Sequence, residues 1–566
     1  MYPIRKSIMS LSSRSLFVWG NTALFFVLGL SSCGGSPSLT LTPGIPSIPS
    51  IDAVDAAAVA EPYLDATKVH YYCDCQSGAQ AGCVAGNDSN AGTSPSAPKQ
   101  TIGNAANFLR SLATVNDTVA LCKGGVFNVS STSHLGSATC PAGTICNDLR
   151  EYQPSWYSGS AKPVIRGTTG TATFDISGNY GGIRIMNIAM TGTYSGGSNS
   201  SAFFFSGGAH DVKIWNVDMD SFDLAIYDAG LAQDNNMTIT GSHITNSDVI
   251  GYLGAANNTE ISNNYWGGNG SNTELNHTIY FGGSSPVSNI KLVGNYIHGQ
   301  YGPTCTGSPI TAHLEVDGFT ISGNSVIIDS AAATAGCWGM DLSNGGYGVP
   351  IYFRHTVISG NTFVNGGNLA LSVVSCPGCI IENNLIVNDW SGAYDGIRVP
   401  AFPARTSPAD DVNTNNIIRN NTVYYGPNAT NGAAGISVNA EGTGHVIANN
   451  TVYYSSTSSV HGTNCFGFPL ALGSYSFINN NNCYSASPYK WERTQQSSLA
   501  AWQTYAQTYG FDTASFTGDP QFTAVGTDFT PAAGSPLIGA GNAANGSATD
   551  ITGKTRSIPP SIGAYN

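Results

Sequence analysis

One short pattern recurs through the second half of this chain, and few folds accommodate it. It is an apolar residue, two small or polar residues, an asparagine, one variable residue, then an apolar or aromatic residue. Strong copies centre on Asn264, Asn295, Asn324, Asn361, Asn384, Asn421, Asn450 and Asn481, as in Ile321-Ser-Gly-Asn324-Ser-Val326. Successive asparagines lie 31, 29, 37, 23, 37, 29 and 31 residues apart. Weaker copies at Ile185-Met-Asn187, Ile214-Trp-Asn216 and Ile239-Thr-Gly-Ser242 bring the total to about eleven turns. Helical repeats keep a near-fixed length, so such uneven intervals exclude them. Short β-branched strands between Gly/Asn turns fit a parallel β-helix, with surplus length held in loops. Its coils stack about 4.8 Å apart. The recurring asparagine, which tolerates left-handed backbone, is expected at a tight turn, bonded to its counterparts above and below.

Only 10% of the 566 residues are charged, against about 25% in an average soluble protein. A hydrophobic fraction of 41% excludes a disordered chain, and the scarcity of charge excludes a coiled coil. The net charge of −13 offers no basic footprint, so nucleic acid is not an expected partner. Arg5, Lys6 and Arg14 precede the apolar run Leu16 to Leu30, too short for a comfortable membrane span. Leu30-Ser-Ser-Cys33-Gly34 closes the run and resembles the lipobox of bacterial lipoproteins. That resemblance implies lipidation of Cys33, export, and a lipid anchor in the outer membrane or at the cell surface. The reading divides the chain into signal (1–33), tether (34–68), N-terminal cap (69–160), β-helix (161–490) and C-terminal cap (491–566). A monomer is expected. Twelve further cysteines in an exported chain argue for disulfides. The expected pairs are Cys140–Cys146, Cys305–Cys337, Cys376–Cys379 and Cys465–Cys483, with Cys73, Cys75, Cys83 and Cys122 paired among themselves. No histidine sits at ligand spacing around those four, which disfavours zinc.

The chain resembles the secreted right-handed parallel β-helix proteins of the pectin-lyase-like superfamily. Val69-His-Tyr-Tyr72, Gly92 to Pro98 and the amphipathic stretch from Thr101 look like that family's opening. Ser498 to Trp502, Asp519-Pro-Gln-Phe522 and Gly534 to Gly539 look like its end. The resemblance implies an all-β solenoid of about eleven coils, with an N-terminal cap helix and a C-terminal cap segment. It is a poor guide to activity, because the superfamily holds lyases, hydrolases, epimerases and adhesins.

Each coil has a second strand upstream of its asparagine. These align as Thr278-Ile-Tyr-Phe281, His313-Leu-Glu-Val316, Gly339-Met-Asp-Leu342, Ala370-Leu-Ser-Val373, Gly396-Ile-Arg-Val399 and Gly435-Ile-Ser-Val438. Side chains alternate along a strand, so the outward column reads Tyr280, Glu315, Asp341, Ser372, Arg398, Ser437. His313, Asp317 and Ser343 flank it. Trp338, Tyr301, Tyr347 and Trp390 lie near enough to stack on sugar rings. Charge this concentrated in a charge-poor chain points to a polysaccharide groove, best suited to β-elimination on a uronic-acid polymer. That reaction needs a neutralised carboxylate, a base for the C5 proton and an acid for the leaving oxygen. Glu315, Asp341 and Asp317 are expected to hold Ca²⁺. Arg398 would stabilise the enolate or act as base, and Tyr280 or His313 as acid. Two rivals stand beside this lyase: a non-catalytic adhesin or glycan-binding solenoid, and a glycoside hydrolase using Glu315 and Asp341. Asp410-Asp411 and Gly444-His445 only superficially match the acid pair and Gly-His of polygalacturonase-type hydrolases, and His277 reads as a turn residue.

Overall fold

The computed structural model describes residues 62–566 apart from 112–115, 168–169, 193–199, 231–232, 271–276, 301–304, 335, 344–349, 393–394, 400–409, 431–433, 439–440, 456–463, 469 and 485–497. All described residues belong to one compact unit, Gly44–Asn566. The signal, Cys33 and most of the expected tether lie outside them. Among the described residues no helix is long and apolar enough to cross a membrane.

The chain winds through three long parallel sheets of 15, 13 and 12 strands, called here sheets 1, 2 and 3. One coil shows the order: Val287–Val293 in sheet 1, Tyr296–Gln300 in sheet 2, Ile310–His313 in sheet 3, then Glu315–Ser322 back in sheet 1. Strands of these three sheets therefore pair with their equivalents one coil away, and the architecture is a right-handed parallel β-helix; Phe522–Ala524 and Asp528–Pro531 form a separate antiparallel pair. Pairing begins early, with Val69–Tyr72 against Asp117–Cys122. Inward positions carry Ile, Leu, Val, Phe and Met and form one continuous core. Helix α1 (Ile102–Ser111) packs Ile102, Ala105, Ala106 and Leu109 against that core, a spacing that puts all four on one helical face. At the other end, α2 (Leu499–Gln507) starts on Ser498, whose Oγ accepts the Ala501 N–H at 3.2 Å. Its Trp502 is buried and stacks on Phe468 at 4.9 Å.

The corner between sheets 1 and 2 holds the asparagine ladder. From Asn264 to Asn481, each Nδ2 donates to the Oδ1 of the next coil's asparagine at 2.9–3.1 Å. The same Oδ1 also accepts that neighbour's backbone N–H, as from Asn324 to Asn361 at 3.0 Å. The second Nδ2 proton reaches a sheet 1 carbonyl of the preceding coil, as from Asn361 to Ile321 at 2.9 Å. Each buried amide thus spends its whole bonding capacity inside the ladder. Ser242, in the last weak copy of the repeat, closes the upstream end by donating its N–H to Asn264.

The stacked asparagine is not the residue that turns left-handed. That role falls to the residue before it: Asn263, Gly294, Gly323, Gly360, Asn383, Asn420, Asn449 and Asn480, with φ of 52–65°. Side-chain capture and backbone reversal are divided between adjacent positions, which explains why Gly or Asn precedes every strong copy. Four of the asparagines at this position meet the C-terminal segment. Asn383, Asn420, Asn449 and Asn480 donate to the carbonyls of Thr549, Ser561, Asn542 and Ala540. Buried Arg556 adds bonds to Asn383 Oδ1 at 2.7 Å and to the Gly563 carbonyl at 2.8 Å; burial lowers its pKa to about 10. Phe522, Phe529, Leu537 and Ile562 complete the contact, packing on Leu385, Val387 and Tyr424 of sheet 2.

The twelve cysteines stand at disulfide distance in six pairs: Cys73–Cys122, Cys75–Cys83, Cys140–Cys146, Cys305–Cys337, Cys376–Cys379 and Cys465–Cys483. The sulfurs of Cys73, Cys75 and Cys83 cluster, but all three are committed to these bonds.

Candidate functional site

Sheet 3 presents its outward side chains in register. Ile279, Ile310, Met340, Leu371, Ile397 and Ile436 point into the core and are buried. The next residue of each strand points out, giving the column Tyr280, Thr311, Asp341, Ser372, Arg398, Ser437. A second register lies three residues upstream and includes His277, Trp338, Leu369 and Asp395.

The chemistry concentrates around Tyr280. Its ring lies between two imidazoles, 5.1 Å from His277 and 5.4 Å from His313, centroid to centroid. His277 Nδ1 is 2.8 Å from the Ser308 carbonyl and 3.1 Å from Thr311 Oγ1. His313 Nδ1 is 2.7 Å from the Ser343 carbonyl. A carbonyl only accepts, so each Nδ1 carries the proton and each Nε2 is the basic nitrogen. Burial lowers the pKa of both rings, to about 4 for His277, so both are neutral at neutral pH. One coil on, Asp341 is only 6% exposed although it points outward. Burial pushes its pKa up to about 6, against the pull of Ser343 Oγ at 2.7 Å and Ser372 Oγ at 3.0 Å. Arg398 Nη1 donates to Asp395 Oδ2 at 3.2 Å, and Asp395 Oδ1 accepts the Ala434 N–H at 2.9 Å.

Arg398 is four rungs from Tyr280 and three from His313, roughly 19 Å and 14 Å at the strand spacing. An arginine side chain does not bridge such a gap. Arg398 therefore does not share one sugar with Tyr280 and His313, as the base or enolate stabiliser was expected to do.

Glu315 needs the larger correction. Its expected rung is held by Thr311, and Glu315 lies past the corner at the start of a sheet 1 strand, opposite Tyr352. Burial raises its pKa. Asp317, on the same strand, pairs with His355 Nδ1 at 2.5 Å. Glu315 and Asp317 are thus on sheet 1 and Asp341 on sheet 3, so the proposed Ca²⁺ ligands are not one set. The Glu315–Asp341 pair assumed for hydrolysis fails with them, because the two are not neighbours in one column. Trp338 is half-buried in the register three residues upstream of the column, beside Asp341's coil. Trp390 is 8% exposed and belongs to the core, so it presents no stacking face. Tyr301 and Tyr347 lie outside the described residues. Asp411 is clamped by Arg354 at 2.7 and 2.9 Å, while His445 is buried on a sheet 1 strand.

No family model matches the chain, and no curated protein does. Solved structures resemble it at low identity, over most of their own length. The A-module of the mannuronan C-5 epimerase AlgE6 of Azotobacter vinelandii has 12% identity and a TM-score of 0.44, covering 68% of this chain and 94% of that one. The alginate lyase AlyF-OU02 in complex with G6 has 12% identity and a TM-score of 0.41, covering 82% and 92%. The pectate lyase Pel9A has 15% identity and a TM-score of 0.31, covering 88% and 96%.

His277 is the site residue the sequence reading set aside. A signal for it exists: His277/Tyr280, Trp338/Asp341 and Asp395/Arg398 repeat one spacing of three. The residue three before the column shares its face: Leu224 and Ile250, in register with His277, cluster with Leu253 outside the solenoid core.

Proposed function

We propose that this protein is a polysaccharide lyase that cleaves a uronic-acid-containing polymer by β-elimination. The observation that carries the reading is the Tyr280 ring held between two neutral imidazoles whose proton positions are fixed by backbone carbonyls. His313 Nε2 takes the C5 proton. The electrons form the C4=C5 double bond, the bond from C4 to the glycosidic oxygen breaks, and the Tyr280 O–H protonates the departing oxygen. Asp341, two rungs from Tyr280 and one from the coil of His313, donates a hydrogen bond to the uronate carboxylate when protonated, lowering the cost of the enolate-like charge. His277 positions Tyr280. Arg398 binds a carboxylate farther along the chain. No metal step is assigned.

Absorbance of the unsaturated uronate, read with reducing-sugar release on a polysaccharide panel, tests this. Both signals together support a lyase. Reducing sugar alone means hydrolysis, and binding without either means an adhesin. We further propose that Cys33 is lipidated and anchors the protein to the outer membrane or cell surface. Cys33→Ser is then expected to abolish lipid labelling and release the protein from membranes. Retention of the variant would refute the anchor.

A further inference from the structure

The outward face of sheet 3 changes character along its length. Upstream of Tyr280 the column reads Phe204, Tyr227, Leu253, with Phe204 and Tyr227 edge-to-face at 5.4 Å. Leu224, Ile250 and Leu253 form an apolar cluster on this face, separate from the solenoid core, with Tyr227 and Tyr280 packed against it. Phe204 and Tyr227 are only half-buried. Downstream, Thr311, Asp341, Ser372 and Ser437 are polar. Among the described residues of the column from Phe204 to Gly467, Arg398 alone has a fixed positive charge, and it is already paired with Asp395. His277 and His313 are neutral, and the chain as a whole carries −13.

A run of adjacent uronates places a negative charge on every sugar. Such a chain needs cations repeated along its groove, and among the described residues this column offers one. Its upstream half instead suits the C–H faces of uncharged sugars, which lie flat on aromatic and aliphatic surface and need no counter-charge. Building on the lyase reading, we propose that the substrate is a heteropolymer in which uronates are separated by neutral sugars, with a neutral sugar seated on the Tyr227–Phe204 face beside the cut.

The test compares two polymers of similar length: a fully de-esterified homouronan and a strictly alternating uronate–neutral sugar polymer. The expected result is a kcat/KM at least about tenfold higher on the alternating polymer, one decade corresponding to about 1.4 kcal/mol. Its KM should change little with salt, because a single ion pair carries the charge recognition. Tyr227→Ala should raise that KM about three- to tenfold, the scale of one lost aromatic contact, and Tyr227→Phe should restore it. Equal or faster cleavage of the homouronan, or a KM climbing steeply with salt on the preferred polymer, overturns the proposal and leaves the lyase reading standing. If neither polymer yields unsaturated product, the lyase reading fails instead. Affinity electrophoresis on the same two polymers then decides the proposal: preference for the alternating one supports it, and equal or reversed preference refutes it.

Discussion

Two ladders run side by side through the downstream coils of this solenoid, each with one residue per coil, and they behave in opposite ways. The corner ladder repeats a single residue type from Asn264 to Asn481, and every amide is satisfied by its neighbours. The outward column of sheet 3 changes its side chain from rung to rung between Tyr280 and Ser437, and Asp341 in it, with His277 and His313 beside it, is held away from its ordinary pKa. Uniformity is what a β-helix needs to stack, because an identical neighbour is always a matching partner. Departure from uniformity has no such structural use, so it marks where the surface has been shaped for something else.

The largest expected effect breaks this contrast on the column side. Tyr280→Phe removes one O–H from an outward ring and should lower activity by about 10²–10⁴, the range for losing a positioned acid. Thermal stability should change by no more than about 0.5 kcal/mol, as for other surface substitutions. A destabilised protein with its activity retained would make Tyr280 a packing residue. The converse holds at the corner. Asn361→Ala orphans the buried N–H of Asn324 and the carbonyl of Ile321 and should cost about 3 kcal/mol, at roughly 1–3 kcal/mol per unsatisfied group. Denaturant unfolding measures it, and a loss under about 1 kcal/mol would mean that the ladder is ornamental.

A pH experiment sharpens the comparison within the column. The folded pKa of Asp341, about 6, lies above its ordinary 3.8. Its contribution to stability is therefore complete at low pH and lost as pH rises through about 6. The folded pKa of His277, about 4, lies below 6.5, so its contribution is present above 6.5 and lost as pH falls through about 4. Asp512, also pushed up to about 6 by burial, adds a loss of the same sign as Asp341. The readout is therefore the difference between the parent and Asp341→Asn: the variant should lose less stability between pH 4 and pH 6. Parallel stability curves would place the Asp341 carboxyl in water. The smallest effect belongs to the left-handed positions. Asn449→Gly keeps the turn and forfeits bonds to Asn542, costing about 1 kcal/mol. Gly323→Asn meets only Gly294 backbone at 3.8 Å and should lie within about ±0.5 kcal/mol by thermal melt.

The fold was legible because its repeat fixes position as well as type. The in-or-out parity of sheet 3 was legible as well, and Tyr280, Asp341, Ser372, Arg398 and Ser437 share one column. Glu315 misled because inward apolar residues continue unbroken through Ile310, Ala312, Leu314 and Val316, across the corner between sheets 3 and 1. Alternation alone cannot show where one sheet ends. Counting could have: Glu315 leaves 324 − 315 = 9 residues to the next ladder asparagine, whereas Ser372, the tightest other coil, leaves 384 − 372 = 12. The His277–Tyr280–His313 contact was hidden for a different reason. It depends on residues three before the column sharing its face, and the mark of that arrangement, a row of small residues two before the column (Gly251, Gly339, Ala370, Gly396, Gly435), was not used.

The C-terminal segment has a consequence for how the chain reaches its native state. A solenoid is close to one-dimensional: each coil touches its neighbours, and unfolding can fray inward from an end one coil at a time. The bonds from Asn383, Asn420, Asn449 and Asn480 to residues 540–561 tie four successive coils to one late strap, with Ser547 and Arg556 reaching Asn383 across 164 and 173 residues. These are long-range closures in a molecule otherwise built from adjacent ones, and such closures form slowly. The downstream coils then melt as a block instead of peeling, and they gain that cooperativity only once residues 540–561 have left the ribosome.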